Sequence, residues 1–188
     1  MSGADIVLRT KRLHLRELTQ DDFRPLCAIL QDGQAMYAYE GAFSDEEAHE
    51  WLDRQIARYR KWGFGAWAAV RPETGELIGQ CGITWQPWKE AEVLEIGYLF
   101  RRDVWHNGYA TEAARACKQY AFETLGAREI CSIIRDTNTA SQNVALRNGM
   151  TPRDSWVKRY RGVDMPHIRY AVARQGASQE ASAGAPNC

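Results

Sequence analysis

The 188-residue chain has no excess charge of either sign: 24 Lys and Arg against 24 Asp and Glu give a formal net charge of zero at pH 7. No global field recruits nucleic acid or an anionic lipid surface, so neither class of partner is expected. Long apolar runs are missing as well. The longest fall far short of the roughly 20 residues a membrane helix needs, and no membrane span is expected. Met1 to Thr10 holds no signal-peptide core. The five cysteines, Cys27, Cys81, Cys117, Cys131 and Cys188, are an odd number without paired metal-ligand spacing. Together these features place the chain in a reduced cytoplasm rather than among disulfide frameworks. His14, His49 and His167 have no metal-ligating neighbours at useful spacing, so no metal is expected. The Gly-x-x-x-x-Gly-Lys-Ser/Thr loop and the three-glycine dinucleotide fingerprint are both absent, which argues against ATP and NAD. No internal repeat is visible.

What is present is 45% hydrophobic residues, enough to exclude general disorder and to build one domain with a real core, over about residues 6–174. Ile6 to Glu17 reads as a first strand, with Leu13 and Leu15 apolar against His14 and Arg16. Thr19 caps a helix over about Gln20 to Gln31, with Asp21 and Asp22 at its positive end. An aromatic loop with Met36, Tyr37, Tyr39 and Phe43 precedes Ser44-Asp45-Glu46-Glu47, a capping box for a helix to about Trp62. Strands over Phe64 to Arg71, Leu77 to Trp85 and Glu92 to Phe100 form an antiparallel meander whose first turn is Pro72-Glu73-Thr74-Gly75. Later come a strand at Glu129 to Arg135 and two more at Thr151 to Tyr160 and Met165 to Ala173. The sum predicts an α/β fold with a mixed, mostly antiparallel sheet of about seven strands and about four helices. Gln175 to Cys188 has too little bulk to order itself and is expected to be a disordered tail.

The most informative stretch is Glu95 to Thr111, an apolar strand that passes through a small-residue loop, Trp105-His106-Asn107-Gly108, into a helix. Such a passage aims successive backbone N–H groups and the positive end of a helix dipole at one point, so an anion belongs there. The helix carries Ala110, Ala113, Ala114, Cys117, Ala121 and Leu125 at spacings of three and four, a narrow stripe that allows close packing.

Trp105-His106-Asn107-Gly108-Tyr109-Ala110-Thr111-Glu112-Ala113 resembles the acetyl-coenzyme A loop of the GCN5-related N-acetyltransferases, in particular the ribosomal-protein acetyltransferase (RimJ/RimL-like) branch. The family writes this loop Gln/Arg-x-x-Gly-x-Gly/Ala, and Trp105 takes its first place. A second block, Asn138 to Met150, is similar to the family's Asn-x-x-Ser helix that ends in Gly and a bulky apolar residue. The resemblance implies a single GNAT-type domain that takes acetyl-coenzyme A as cosubstrate. It places the coenzyme against the strand end Leu99-Phe100-Arg101-Arg102, the loop from Trp105 to Thr111, and Asn138, Asn143 and Arg147.

Transfer from a thioester to an amine needs a neutral amine and a stabilised thiolate. Glu95, amid Val93, Leu94, Ile96 and Leu99, can have a raised pKa and take a proton directly or through water; alternatively it pairs with an Arg or the backbone. Ser141 stands where the resemblance puts a residue near the coenzyme sulfur and can donate to it, or it simply starts a helix. The tyrosine that fills this acid role in many relatives is absent from Thr137 to Met150. Asn138 reads as both a helix cap and a contact to the pantetheine arm. Asn143 and Arg147 share a helical face that meets the coenzyme or only solvent, while Arg101 and Arg102 flank the loop where phosphates would lie. The His106 side chain either meets phosphate or is merely exposed.

Cys81 and Cys131 admit an acyl-cysteine route, but neither has an evident His partner, and buried cysteine is commonly a small hydrophobe; direct attack is preferred. Trp85 and Trp88, bracketing Gln86-Pro87 after a strand, are candidates to line an acceptor groove with Tyr37, Tyr39 and Tyr160. The acceptor is a primary amine: a protein N-terminal α-amine, or else a small amine, amino acid or antibiotic. A non-catalytic acyl-coenzyme A sensor is the reading from another class. Monomer and homodimer both remain open.

Overall fold

A computed structural model describes residues 5–175; residues 176–188, where the tail is expected, lie outside the described part. The expected first strand is a hairpin, β1 (Ile6–Arg9) with β2 (His14–Arg16). Thr10 turns the chain, its Oγ1 accepting from the Leu13 amide at 3.0 Å and its amide donating to the Leu13 carbonyl at 2.9 Å. Leu13 and Leu15 keep the alternation that suggested one strand, both fully buried. A 3-10 turn at Gln20–Asp22 then leads into α1 (Phe23–Leu30). Thr19 and Asp22 form a capping box there, and Pro25 falls in the first turn, where its missing N–H costs nothing.

The aromatic loop contains a short 3-10 turn, Tyr37–Tyr39, and the rings of Tyr39, Phe43 and Trp51 meet edge to face at 5.6 to 6.0 Å. Next comes α2 (Asp45–Trp62), capped by Ser44 and Glu47 and ended by Gly63. The meander is β3 (Ala66–Val70), β4 (Leu77–Trp88) and β5 (Ala91–Phe100). β4 runs three residues past its expected end, so Gln86 and Pro87 lie in a strand rather than a loop. After β5 follow α3 (Tyr109–Glu123), β6 (Glu129–Arg135), α4 (Thr139–Arg147), β7 (Thr151–Tyr160) and β8 (Val163–Ala173). The β7–β8 turn is the two residues Arg161-Gly162, with φ of 49° and 77°, as tight hairpins of matching twist require.

The strands make one eight-stranded sheet in the order β1-β2-β3-β4-β5-β6-β8-β7. The eighth strand comes from the split at the N-terminus. Every pairing is antiparallel except β5 with β6, which are parallel and register only at Glu95 and Cys131. On one face of α3, Ala113, Ala114, Cys117 and Ala121 are at most 1% exposed. These small side chains let the helix lie close on β4 and β5. No helix among the described residues is long and apolar enough to cross a membrane.

Candidate active site

The loop between β5 and α3 is held from within. Val104 is buried, the Trp105 indole N–H donates to the Phe100 carbonyl at 2.8 Å, and the Asn107 amide donates to the carbonyls of Val104 and Trp105 at 3.1 and 3.0 Å. His106 and Gly108 adopt left-handed φ of 62° and 79°, and Gly108 caps α3 with no side chain of its own. The backbone N–H groups of His106 through Thr111 consequently find no acceptor among the described residues. That is the donor array an anion at a helix start requires. The loop is fastened to the N-terminal hairpin through Glu112, whose carboxylate accepts from the Thr10 hydroxyl and from the Arg12 amide and guanidinium at 2.7 to 2.8 Å. The Arg12 guanidinium also lies 4.5 Å from the centroid of Tyr109.

This array opens on a groove of about 1520 Å³ that runs along the seam where β5 and β6 part. Glu95, Leu99, Phe100, Trp105, His106, Gly108, Tyr109, Ala110, Thr111, Asn138, Ser141, Asn143 and Arg147 line it, as do Tyr37, Tyr39 and Tyr160. Five expected residues do not. The Arg101 guanidinium is held by Asp103 and Glu76 at 2.7 Å, and Arg102 is drawn to Asp32 at 3.0 Å and to Gln34. Both arginines therefore turn away from the anion position, captured by nearer carboxylates. Asn107 spends its side chain inside the loop, and its carbonyl accepts from Arg12 at 3.0 Å. Trp88 is only 4% exposed, its indole N–H donating to Asp154 at 3.0 Å and its ring against Trp156. Trp85 faces a separate, smaller hollow of about 280 Å³.

At the parting of β5 and β6, side chains replace the missing backbone rungs. The Ile133 amide donates to the Glu95 carboxylate at 3.1 Å, and the Ser132 hydroxyl donates to the Ile96 carbonyl at 2.8 Å. Burial pushes the Glu95 carboxyl up from its ordinary value, against the pull of the Ile133 amide and of the Lys158 and Arg58 cations. Asn138 caps α4, its side chain accepting from the Ser141 amide at 3.0 Å. The Tyr98 phenol, pushed up by burial and so protonated, donates to the Ser141 carbonyl at 2.8 Å. Tyr98, Arg12, Arg58, Arg115 and Lys158 all line the groove without having been expected there. Tyr98 lies inside the strand segment already singled out and Arg115 on the helix that follows the loop; Arg12, Arg58 and Lys158 come from elements whose local sequence carries no mark of a site.

Cys131 donates to the Leu94 carbonyl at 3.2 Å, and Cys81 lies 3.6 Å from Cys117; neither lines the groove, and burial pushes both thiols up. Cys27, Cys81, Cys117 and Cys131 are all free thiols. Among the described residues no group of three or more His, Cys, Asp or Glu is gathered to hold a metal.

An anion array at a helix start, opening beside a half-buried carboxylate in a split sheet, matches a known domain. The profile of the acetyltransferase (GNAT) domain fits residues 12–151, and the chain belongs to that family of acetyl-coenzyme A-dependent N-acetyltransferases. It is 38% identical over 149 residues to the uncharacterized protein YkkB of Bacillus subtilis, covering 79% of this chain and 87% of that one. It is also 28% identical over 187 residues to the FsC-acetyl coenzyme A-N(2)-transacetylase of Aspergillus fumigatus, covering 92% of this chain and 78% of the relative. Among solved structures, the acetyltransferase from Agrobacterium tumefaciens superposes with a TM-score of 0.76 at 30% identity, over 93% of this chain and 98% of that one. RimL, a ribosomal L7/L12 α-N-protein acetyltransferase solved with coenzyme A, shares the fold with a TM-score of 0.73 at 18% identity, over 90% and 98% of the two chains.

Proposed function

We propose that residues 6–174 move an acetyl group from acetyl-coenzyme A to a primary amine by direct attack within a ternary complex, and that the preferred acceptor is an α-amine. The observation that carries this reading is the row of unpartnered N–H groups from His106 to Thr111, facing a groove whose far wall holds Glu95. Those N–H groups suit a pyrophosphate, and the exposed Arg115 and Arg147 at the same end supply opposite charge. Leu99, Phe100 and Asn138 would line the coenzyme's arm and Asn143 would flank it. Bound there, acetyl-coenzyme A supplies an acyl group already activated as a thioester.

The chain's own work is to move protons. Glu95, poised by burial, takes a proton from the incoming ammonium directly or through water. The Ser141 hydroxyl donates toward the leaving sulfur, while its backbone is steadied by Tyr98 and Asn138. Deprotonation at pH 7 costs about 1 kcal/mol for an α-amine of pKa near 8 and about 5 kcal/mol for a lysine near 10.4. A single carboxylate base is better matched to the first. Cys27, Cys81, Cys117 and Cys131 all lie outside the groove, so no cysteine among the described residues is placed for acyl capture.

One observation favours a small amine over a protein terminus. Arg135 of β6 is paired with Glu40 of the aromatic loop at 2.5 Å and Arg161 of the β7–β8 turn with Glu47 of α2, so the aromatic loop and α2, which line the groove with Tyr37, Tyr39 and Arg58, are each tied to the sheet. Calorimetric titration with acetyl-coenzyme A, followed by thiol release against α-amino peptides and small amines, tests the proposal. Saturable binding with acceptor-dependent thiol release is expected. Binding without release from any amine supports a sensor instead, and absent binding overturns the donor site.

A further inference from the structure

The acceptor end of the groove contains two cations, Arg58 and Lys158, that form no ion pair with any carboxylate among the described residues. Glu95 and Glu112 are the carboxylates among the described residues lining the groove, and Glu112 is fully engaged by Thr10 and Arg12. At the donor end the unmatched positive charge of Arg115 and Arg147 is answered by coenzyme phosphates. No such answer reaches the wall formed by α2 and β7. There Arg58 is half-buried and uses one guanidinium nitrogen, Nη1, to donate to Gln55 at 2.9 Å, with no ion pair to any described carboxylate. Lys158 is half-buried with its ammonium 5.7 and 5.8 Å from the centroids of Trp88 and Trp156, again with no ion pair. Other cations at this end have acids of their own: Arg135 has Glu40, Arg161 has Glu47, and the exposed Arg54 has Glu50 at 3.8 Å.

Half-burying a cation without a partner is unfavourable, and burial pushes both Arg58 and Lys158 down from their usual values. Arg58, Lys158 and Glu95 line the same groove, and the two cations pull the Glu95 carboxyl down against the effect of burial. The guanidinium fork of Arg58 has its Nε and Nη2 donors free, the geometry that takes a carboxylate through paired hydrogen bonds.

Resting on the acetyl-transfer reading above, we infer that the acceptor is a small amino-carboxylate of free amino-acid type: Arg58 binds its carboxylate, Lys158 adds positive charge, and its amine is turned to Glu95. No bond is made or broken at Arg58; it sets specificity.

The test compares free L-amino acids with their α-carboxamides, and with peptides bearing the same N-terminal residue, by kcat/KM for thiol release. The amides carry the more easily deprotonated amine, so intrinsic basicity favours them. The carboxylates are nevertheless expected to lead by about 10- to 100-fold, the worth of a charge-assisted hydrogen-bond pair. Arg58→Gln should reduce that preference to within about threefold, and Arg58→Lys should restore part of it. In both variants the KM for acetyl-coenzyme A should hold, which also shows that they fold. Amides or peptides equal to the carboxylates, or a preference that survives Arg58→Gln, overturns the inference. Should no acceptor turn over, calorimetric binding of the amino acids to the coenzyme A complex decides in the same way, and its absence overturns the inference too. Failure of the underlying reading shows separately, as lost acetyl-coenzyme A binding.

Discussion

The two ends of the groove are built from different materials. The donor end is backbone: consecutive N–H groups from one loop, shaped by two left-handed residues and pinned by the side chains of Trp105 and Asn107. The acceptor end is side chains delivered from α2, the aromatic loop, β5, β7 and β8, with no two of its charged groups adjacent in sequence. A surface made of backbone tolerates changes in the side chains it carries, whereas one made of side chains can be altered one residue at a time. The difference explains how a fold can keep its donor while its acceptor changes.

The strongest way to break the comparison is to attack the backbone end where it alone can be attacked. Gly108→Trp puts a bulky side chain at φ 79° in the middle of the donor array, and acetyl-coenzyme A affinity should fall at least about 100-fold, near 3 kcal/mol, by calorimetry. Retained affinity would show that the array does not hold the coenzyme. Next, Glu95→Gln keeps an acceptor for the Ile133 amide but no base, and kcat should drop by about 10²-fold or more with binding of acetyl-coenzyme A intact. In the wild type, activity that needs the ionised carboxylate is lost as pH falls through its pKa. Burial raises that pKa, so the acid limb of kcat should lie above the ordinary carboxylate range and vanish in the variant. For the same reason ionised Glu95 opposes folding at pH 7, and the variant should melt no lower than the wild type.

Smaller effects sharpen the division of labour. Arg115→Ala with Arg147→Ala removes two exposed charges and the Arg115 hydrogen bond to the Arg147 carbonyl at 3.1 Å, so acetyl-coenzyme A affinity should weaken about 3- to 10-fold at low salt and less at high salt. Arg101→Ala should leave that affinity within about twofold, because its guanidinium belongs to Asp103 and Glu76. Its cost is structural, about 0.5–1 kcal/mol, read as a fall of about 1–3 °C in melting temperature.

The same contrast accounts for what could be read in advance. The strand–loop–helix passage from β5 to α3, the α2 capping box and the Asn138 cap are local patterns that the structure reproduces, as it does the α3 stripe from Ala113 to Ala121, while Leu125 lies beyond the helix end at Glu123. Arg101 looked like a phosphate ligand because it adjoins the loop, yet Glu76, brought close by the sheet, claims it. Pro87 looked like a strand end, but β3 pairs with β4 only as far as Gly82, so a missing N–H at Pro87 falls where β4 has a neighbour on one side alone. The N-terminal hairpin was hidden because Leu13 and Leu15 alternate correctly on both readings. Arg58 and Lys158 could not be seen at all: 37 residues separate Glu95 from Arg58 and 63 separate it from Lys158 along the chain, and only the packing of α2 and β7 around β5 brings their charges to bear on one carboxylate.

The parting of β5 from β6 has one more consequence. Because the Ile133 amide has a carboxylate as its acceptor where a strand carbonyl would normally stand, a peptide group in the middle of the sheet is wired to the charge state of the groove. Its nitrogen and proton resonances should shift as Glu95 gains or loses a proton and when a charged ligand arrives beside it. The enzyme thus carries its own spectroscopic indicator, readable at a single backbone position without any label in the site.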